Sequence, residues 1–152
     1  MKFVVISDNH GRLEVLNRIV SAHPDADAYF HCGDSELPPE KLRPFVSVKG
    51  NNDMYYDFPE LRVLNFSDFK VLLIHGHQFY SFKRIEQITH KAHQLGCMIA
   101  CYGHTHAFFT QTSEGVTLVN PGSVYHNRDG TRPCYAVVKV EGKKVTVERV
   151  EC

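Results

Sequence analysis

No charge of one sign dominates this chain: 17 lysines and arginines stand against 17 aspartates and glutamates, so no basic stripe is available to track a polyanion. Long hydrophobic runs are missing as well. The opening stretch MKFVVISD turns polar after Ile6, far short of a secretory signal's apolar region or a membrane span. The expectation is a cytoplasmic protein with no membrane contact. Cysteine pairing is also absent. Cys32, Cys97, Cys101, Cys134 and Cys152 are odd in number and contain no CxxC pair, which argues against a disulfide framework and a zinc ribbon. They are expected to be small buried hydrophobes. No internal repeat, low-complexity tract or linker interrupts the 152 residues, a length suited to one domain, 1–152, with one site.

What the chain does have is histidine, ten residues in all, several of them beside glycine or a carboxylate. Lys2 to Ser7 is a continuous apolar run of strand length. Leu13, Leu16, Ile19 and Val20 then recur at helical spacing until Pro24 ends the pattern. Ala28 to Cys32 predicts a second strand closed by Gly33-Asp34, Pro38-Pro39 opens a short helix or turn, and Phe45 to Lys49 predicts a third strand. Such alternation implies a largely parallel sheet with helices against it. Leu61 to Phe66 and Lys70 to Ile74 flank the turn signal Ser67-Asp68 and read as a hairpin.

Phe82, Ile85, Ile88, Ala92 and Leu95 share one face of a helix that Gly96 can end in a left-handed cap. Lys83, Arg84, His90, Lys91 and His93 then fall on its solvated polar face. Cys97 to Tyr102, Ala107 to Thr112, Val116 to Val119, Cys134 to Val140 and Lys144 to Val150 complete the strands.

Side chains that bind metals gather where these strands end. Asp8 and His10 follow the first, Asp34 the second, Asn51 and Asp53 the third; His75 and His77 end the hairpin, and His104 and His106 follow Cys97 to Tyr102. In an open α/β sheet the carboxyl ends of the strands are where loops converge on a ligand. Residues i and i+2 of extended chain point to one side, so Asp8 with His10, and His104 with His106, can each act together. Spacing alone leaves His75 and His77 equal. A set of aspartate, asparagine and histidine suits Mn, Fe, Co, Ni or Zn and is poor for Ca. There are enough ligands for two ions if one carboxylate bridges. Asn51, Asn52 and Asp53 behind Gly50 read equally as an ordinary turn and as part of that site.

In order along the chain, DNH at 8–10, GD at 33–34, GNND at 50–53, HGH at 75–77 and GHTH at 103–106 resemble the motifs of the calcineurin-like metallophosphoesterases. The short length, IHGHQ at 74–78 and NPGS at 120–123 are most similar to the small bacterial and archaeal phosphodiesterases of that superfamily. The resemblance spans residues 2 to about 140. It implies an α/β fold, a four-layer αββα sandwich of two mixed β-sheets flanked by helices, with a dinuclear site at the strand ends. Asp8, His10 and His106 would hold the first ion, Asp34 would bridge, and Asn51, His75 and His104 would hold the second, so the resemblance chooses His75 over His77. The implied cofactors are two divalent transition-metal ions, Mn2+ first, with Ni2+, Co2+, Fe2+ or Zn2+ as alternatives.

The implied activity is that of a phosphodiesterase. A hydroxide bridging two ions roughly 4 Å apart attacks a phosphate ester in line, and no serine, cysteine or lysine nucleophile is required. Cys32, though beside Gly33-Asp34, has no motif behind it. Where the family commonly carries GNHD or GNHE, this chain has Asn52. An amide donates a hydrogen bond but delivers no proton near neutral pH, so diesters with good leaving groups are favoured over alkyl monoesters. His77 or a metal-bound water is the candidate substitute for the missing histidine; otherwise His77 is an oriented residue at the rim.

The implied partner is a small phosphodiester, with no stable nucleic-acid partner, because sequence-independent nucleic-acid affinity needs many phosphate contacts. A rival reading is a metal-binding interaction scaffold, since the scaffold subunit of retromer looks like this family and carries similar IHGHQ and GHTH motifs. Met54, Tyr55, Tyr56 and Phe58 read as core packing, a substrate wall or a contact between copies in a homo-oligomer. Arg128 and Arg132, beyond NPGS, are placed to meet a phosphate.

Overall fold

The computed structural model describes residues 1–152. In chain order its strands are β1 (Lys2–Ile6), β2 (Ala28–His31), β3 (Val46–Ser47), β4 (Leu61–Asn65), β5 (Lys70–Ile74), β6 (Ile99–Cys101), β7 (Phe108–Ser113), β8 (Val116–Pro121), β9 (Cys134–Glu141) and β10 (Lys144–Glu151). The helices are α1 (Leu13–Ala22) and α2 (Arg84–Gln94), with short 3-10 turns at Pro39–Lys41 and Ser81–Lys83. No helix is long and apolar enough to cross a membrane.

Alternate residues of β1 serve two different cores. Phe3 and Val5 pack with Val71, Leu73, Ile99 and Cys101, while Val4 and Ile6 pack with Val15, Leu16 and Ile19 of α1. A strand buried on both faces reads as an unbroken apolar run, which is why β1 and β5 show no alternation in sequence. On β5 the same division sends Val71 and Leu73 between the sheets and Leu72 and Ile74 toward Ile88 and Ala92 of α2. Three cores therefore separate four layers: α1, a sheet ordered β10-β9-β1-β2-β3, a sheet ordered β4-β5-β6-β8-β7, and α2. This is the αββα sandwich of two mixed sheets that the resemblance implies. Each fully buried large apolar side chain contributes about 2 kcal/mol on removal from water.

β1, β2 and β3 are parallel, as are β5, β6 and β8, so each sheet delivers three carboxyl ends to one edge. A hydrogen bond from the His104 N–H to Asp8 Oδ2 (3.1 Å) joins the two edges.

Several boundaries and faces differ from expectation. β3, at the edge of its sheet, is shorter than expected and pairs with β2 through two residues only. The helix buries Ile88 and Ala92 as expected and Thr89 besides, but the chain enters α2 through the 3-10 turn, which carries Phe82 into solvent at 80% exposure, and Ile85 is exposed as well. Gly96, at φ +70°, ends α2 as expected. Four cysteines are buried, but Cys152 is exposed at the chain end. Arg84, read as solvated, turns inward: its guanidinium donates to the carbonyls of Gly76 (2.9 Å) and Phe79 (3.4 Å). The aromatic stretch divides, with Met54 and Tyr55 exposed and Phe58 buried in the core under α1.

Candidate metal centre

Two groups of ligand-type side chains converge where the sheet edges meet: Asp8, His10 and His106, and Asp8, Asp34 and His75, the ligand atoms within each lying inside 4.8 Å of one another. Asp8 is common to both groups; Asp34, expected to bridge, stands in the second. His106 Nε2 lies 3.1 Å from Asp8 Oδ1 and 3.2 Å from His10 Nε2. His75 Nε2 lies 3.4 Å from Asp34 Oδ2 and 3.1 Å from Asn51 Oδ1, which in turn is 3.0 Å from His104 Nδ1. The structure thus brings together all seven residues expected to hold metal.

The outward nitrogens decide what the inward ones offer. His75 Nδ1 faces the Cys32 carbonyl at 2.7 Å and His106 Nδ1 the His126 carbonyl at 2.9 Å, so each must donate there. In the neutral rings Nε2 then carries a lone pair, and it points at carboxylate or amide oxygens. Lone pairs facing lone pairs are repulsive unless a proton or cation lies between them. The donor set of oxygen and imidazole nitrogen fits a divalent transition metal.

Charge at the site is fixed by the same contacts. Burial works against the Asp8 carboxylate, but the His106 hydrogen bond, the charge of His75 and the Ser7 hydroxyl outweigh it and hold the group below its usual range. Asp34 is likewise penalised by burial, yet His75 and Asn52 hold it well below that range. Burial lowers His75, but the Asp34 hydrogen bond and the Asp8 charge overcome it and push the ring up. A proton there does part of what a cation would do. His104 is driven down to about 4 by burial and by the charge of His75.

Backbone geometry at the site is unusual. Asp8, His10, Asp34, His104 and His106 all have φ between 43° and 69°, a region that disfavours residues with a Cβ and that clusters at functional sites. Where the loops press closest, glycine is required for space. A Cβ on Gly50 would collide with Asp34, and one on Gly103 with Ser7 Oγ and, at 2.8 Å, Asp8 Oδ2.

The residues around the ligands were less legible. Asn52 donates to both Asp34 oxygens, through its backbone N–H (2.8 Å) and its side-chain amide (2.9 Å). Asp53, fully buried, accepts from the N–H groups of Asp34, Gly50 and Glu36, each at 2.8 Å. It braces the turn and does not point into the site. The ring of His77 lies 5.3 Å from that of His75 and 6.3 Å from that of His104, and its Nδ1 is buried with no partner.

Arg128 Nη1 donates to the His104 carbonyl at 3.3 Å, whereas Arg132 turns away toward Glu151. Ser123 of NPGS donates to the Asp8 carbonyl at 2.8 Å, and Asn120 donates to the Gly103 carbonyl and Thr105 Oγ1. The sequence signal for these two was the NPGS motif, which spans the end of β8, a sixth strand ending at this edge.

Comparison with known proteins agrees with this geometry. The model of the calcineurin-like phosphoesterase superfamily domain matches residues 1–143. The chain is 34% identical over 150 residues to a probable metallophosphoesterase of Bacillus subtilis, covering 97% of this chain and 89% of that protein. Among solved structures it is similar to a conserved uncharacterized protein and predicted phosphoesterase from Streptococcus pneumoniae TIGR4, at TM-score 0.90 and 29% identity over 99% of this chain and 88% of the other. A Vps29 variant from Entamoeba histolytica superposes at TM-score 0.76 with 25% identity, over 100% of this chain and 99% of that one.

Proposed function

We propose a metal-dependent phosphodiesterase, starting from the fact that the chain belongs to the calcineurin-like phosphoesterase superfamily. The observation that carries the reading is the convergence of ligand-type atoms from Asp8, His10, Asp34, Asn51, His75, His104 and His106, with the outward nitrogens of His10, His75 and His106 already engaged by protein oxygens. These residues would hold two divalent ions, Mn2+ first, on Asp8, His10 and His106 and on Asn51, His75 and His104, with Asp34 between them. When bound, such ions acidify a water and neutralise charge on phosphate oxygens.

The protein's own groups do the rest. Ser7 and the His104 N–H occupy Asp8 Oδ2, so it is Oδ1, beside His106 Nε2, that faces the site. Arg128, anchored on the His104 carbonyl, supplies further guanidinium N–H groups for a phosphoryl oxygen. Asn52 offers hydrogen bonds but no acid, so a leaving group must depart with little help. This favours small diesters with good leaving groups over alkyl monoesters.

The test is to strip metal with a chelator and assay an activated aryl phosphodiester and the matching monoester with Mn2+, Ni2+, Co2+ or Zn2+ restored. Metal-dependent diester hydrolysis, lost in Asp34→Asn, is expected; none with any ion would sink the enzyme reading. A second reading, a metal-binding interaction scaffold, draws on the likeness to Vps29 and on Tyr80 and Phe82, 72% and 80% exposed beside the HGH loop. Bound metal with no turnover over a broad diester panel would favour it.

A further inference from the structure

Glu36 belongs to none of the motifs, yet its carboxylate lies 3.2 Å from His10 Nδ1, on the side of the ring away from the site. The opposite nitrogen, Nε2, faces inward, 3.2 Å from His106 Nε2 and 3.9 Å from Asp8 Oδ1. An ionised carboxylate only accepts hydrogen bonds, so Nδ1 carries the proton and Nε2 keeps its lone pair. Without that acceptor the neutral ring is free to place its proton on Nε2 and face the site as a donor.

The placement of Glu36 is enforced. Its φ is +54°, which costs a residue with a Cβ roughly 1 kcal/mol. Its N–H donates to Asp53 Oδ1 at 2.8 Å, and the other oxygen of Asp53 holds the N–H groups of Asp34 and Gly50. The loop behind β2 also accepts from the N–H groups of His10 and Gly11 through the Asp34 and Ser35 carbonyls. As a surface ion pair the contact would add little to folding, since the Glu36 side chain is 41% exposed. Its value lies in aiming a ring.

We propose that Glu36 is a positioning residue of the metal centre, fixing the tautomer and rotation of His10 and tying that ligand, through Asp53, to the loop that carries Asn51. Outer partners of this kind typically change metal affinity by 10- to 100-fold. The proposal rests on the metal-centre reading and not on diester hydrolysis.

Two readouts without turnover test it: long-range 1H–15N NMR of histidine in the metal-free protein at about pH 8, above the ordinary histidine range, and calorimetric titration with Co2+. Glu36→Gly removes the carboxylate and relaxes the positive φ, so its melting temperature should hold or rise. Its His10 is expected to shift toward the Nε2–H tautomer and its Co2+ affinity to fall about tenfold or more. Glu36→Gln, whose amide oxygen still accepts from Nδ1, should keep the wild-type tautomer and most of the affinity. Wild-type tautomer and affinity in Glu36→Gly would overturn the proposal. So would an equal loss in Glu36→Gln, because charge and not the hydrogen bond would then be acting. Absence of diesterase activity in the wild type would remove the phosphodiesterase reading and leave this one standing.

Discussion

His31 and Asn9 form a buried bridge between the loops that carry Asp34 and Asp8: His31 Nε2 lies 2.8 Å from Asn9 Oδ1, while the Gly33 N–H donates to His31 Nδ1 at 3.0 Å. The second bond requires a lone pair on Nδ1, so Nε2 carries the proton and the ring is neutral.

Burial pushes the His31 pKa down to about 4 from its ordinary 6.5. As pH falls below 6.5 the unfolded chain takes up a proton that the folded one refuses, so this group erodes stability down to about pH 4, by on the order of 3 kcal/mol. Above pH 6.5 it has no such effect. Urea unfolding of metal-free protein should show His31→Gln less stable at pH 7, with the gap narrowing toward pH 4. A gap independent of pH would mean that His31 is not held neutral.

On the proposed reading, Asn52 sets which esters are cleaved. Asn52→His introduces a group able to donate a proton near neutral pH, and the ratio of monoester to diester kcat/KM should rise by about 100-fold, the scale of general-acid help. An unchanged ratio would remove the leaving-group argument and leave the metal ligands as they are.

Arg128 and Arg132 lie four residues apart in the same loop, but only the first reaches the site. Arg128→Ala should raise KM and weaken inhibition by inorganic phosphate on the order of tenfold, the worth of one charge-assisted hydrogen bond. Arg132→Ala should leave both near the wild-type values. Equal effects in the two variants would point to general surface charge.

Space behind the ligands is as limiting as the ligands themselves. Gly103→Ala would drive a methyl against Ser7 Oγ and Asp8 Oδ2, and a destabilisation of about 1–3 kcal/mol is expected from such overpacking. A urea midpoint equal to wild type would show that the two loops part easily.

The candidate ligands were legible because each follows a strand end within a few residues of a glycine, although only the resemblance to a family chose His75 over His77. What supports them was not. Glu36 meets His10 across 26 positions, Ser123 meets Asp8 across 115 and His31 meets Asn9 across 22, and nothing local announces such partners. Phe82 misled for the opposite reason: its spacing matches the helix, but the backbone there is still in the preceding 3-10 turn. Arg84 misled because its charge suggested solvent, while its guanidinium reaches the carbonyls of Gly76 and Phe79 in and just after HGH.

The left-handed backbone at Asp8, His10, Asp34, His104 and His106 bears on whether the pocket they line is in use at all. At roughly 1 kcal/mol each, five such residues forgo an amount comparable with the lower end of a domain's whole stability. Glycine would relieve every one of them. A chain that made no use of the pocket would have no reason to keep these side chains, since the cost of the exchange is only glycine's greater freedom in the unfolded state. Glu114 shows that a single exposed turn tolerates the same φ, but five such residues gathered at one edge weigh against a role from which the candidate metal centre is absent.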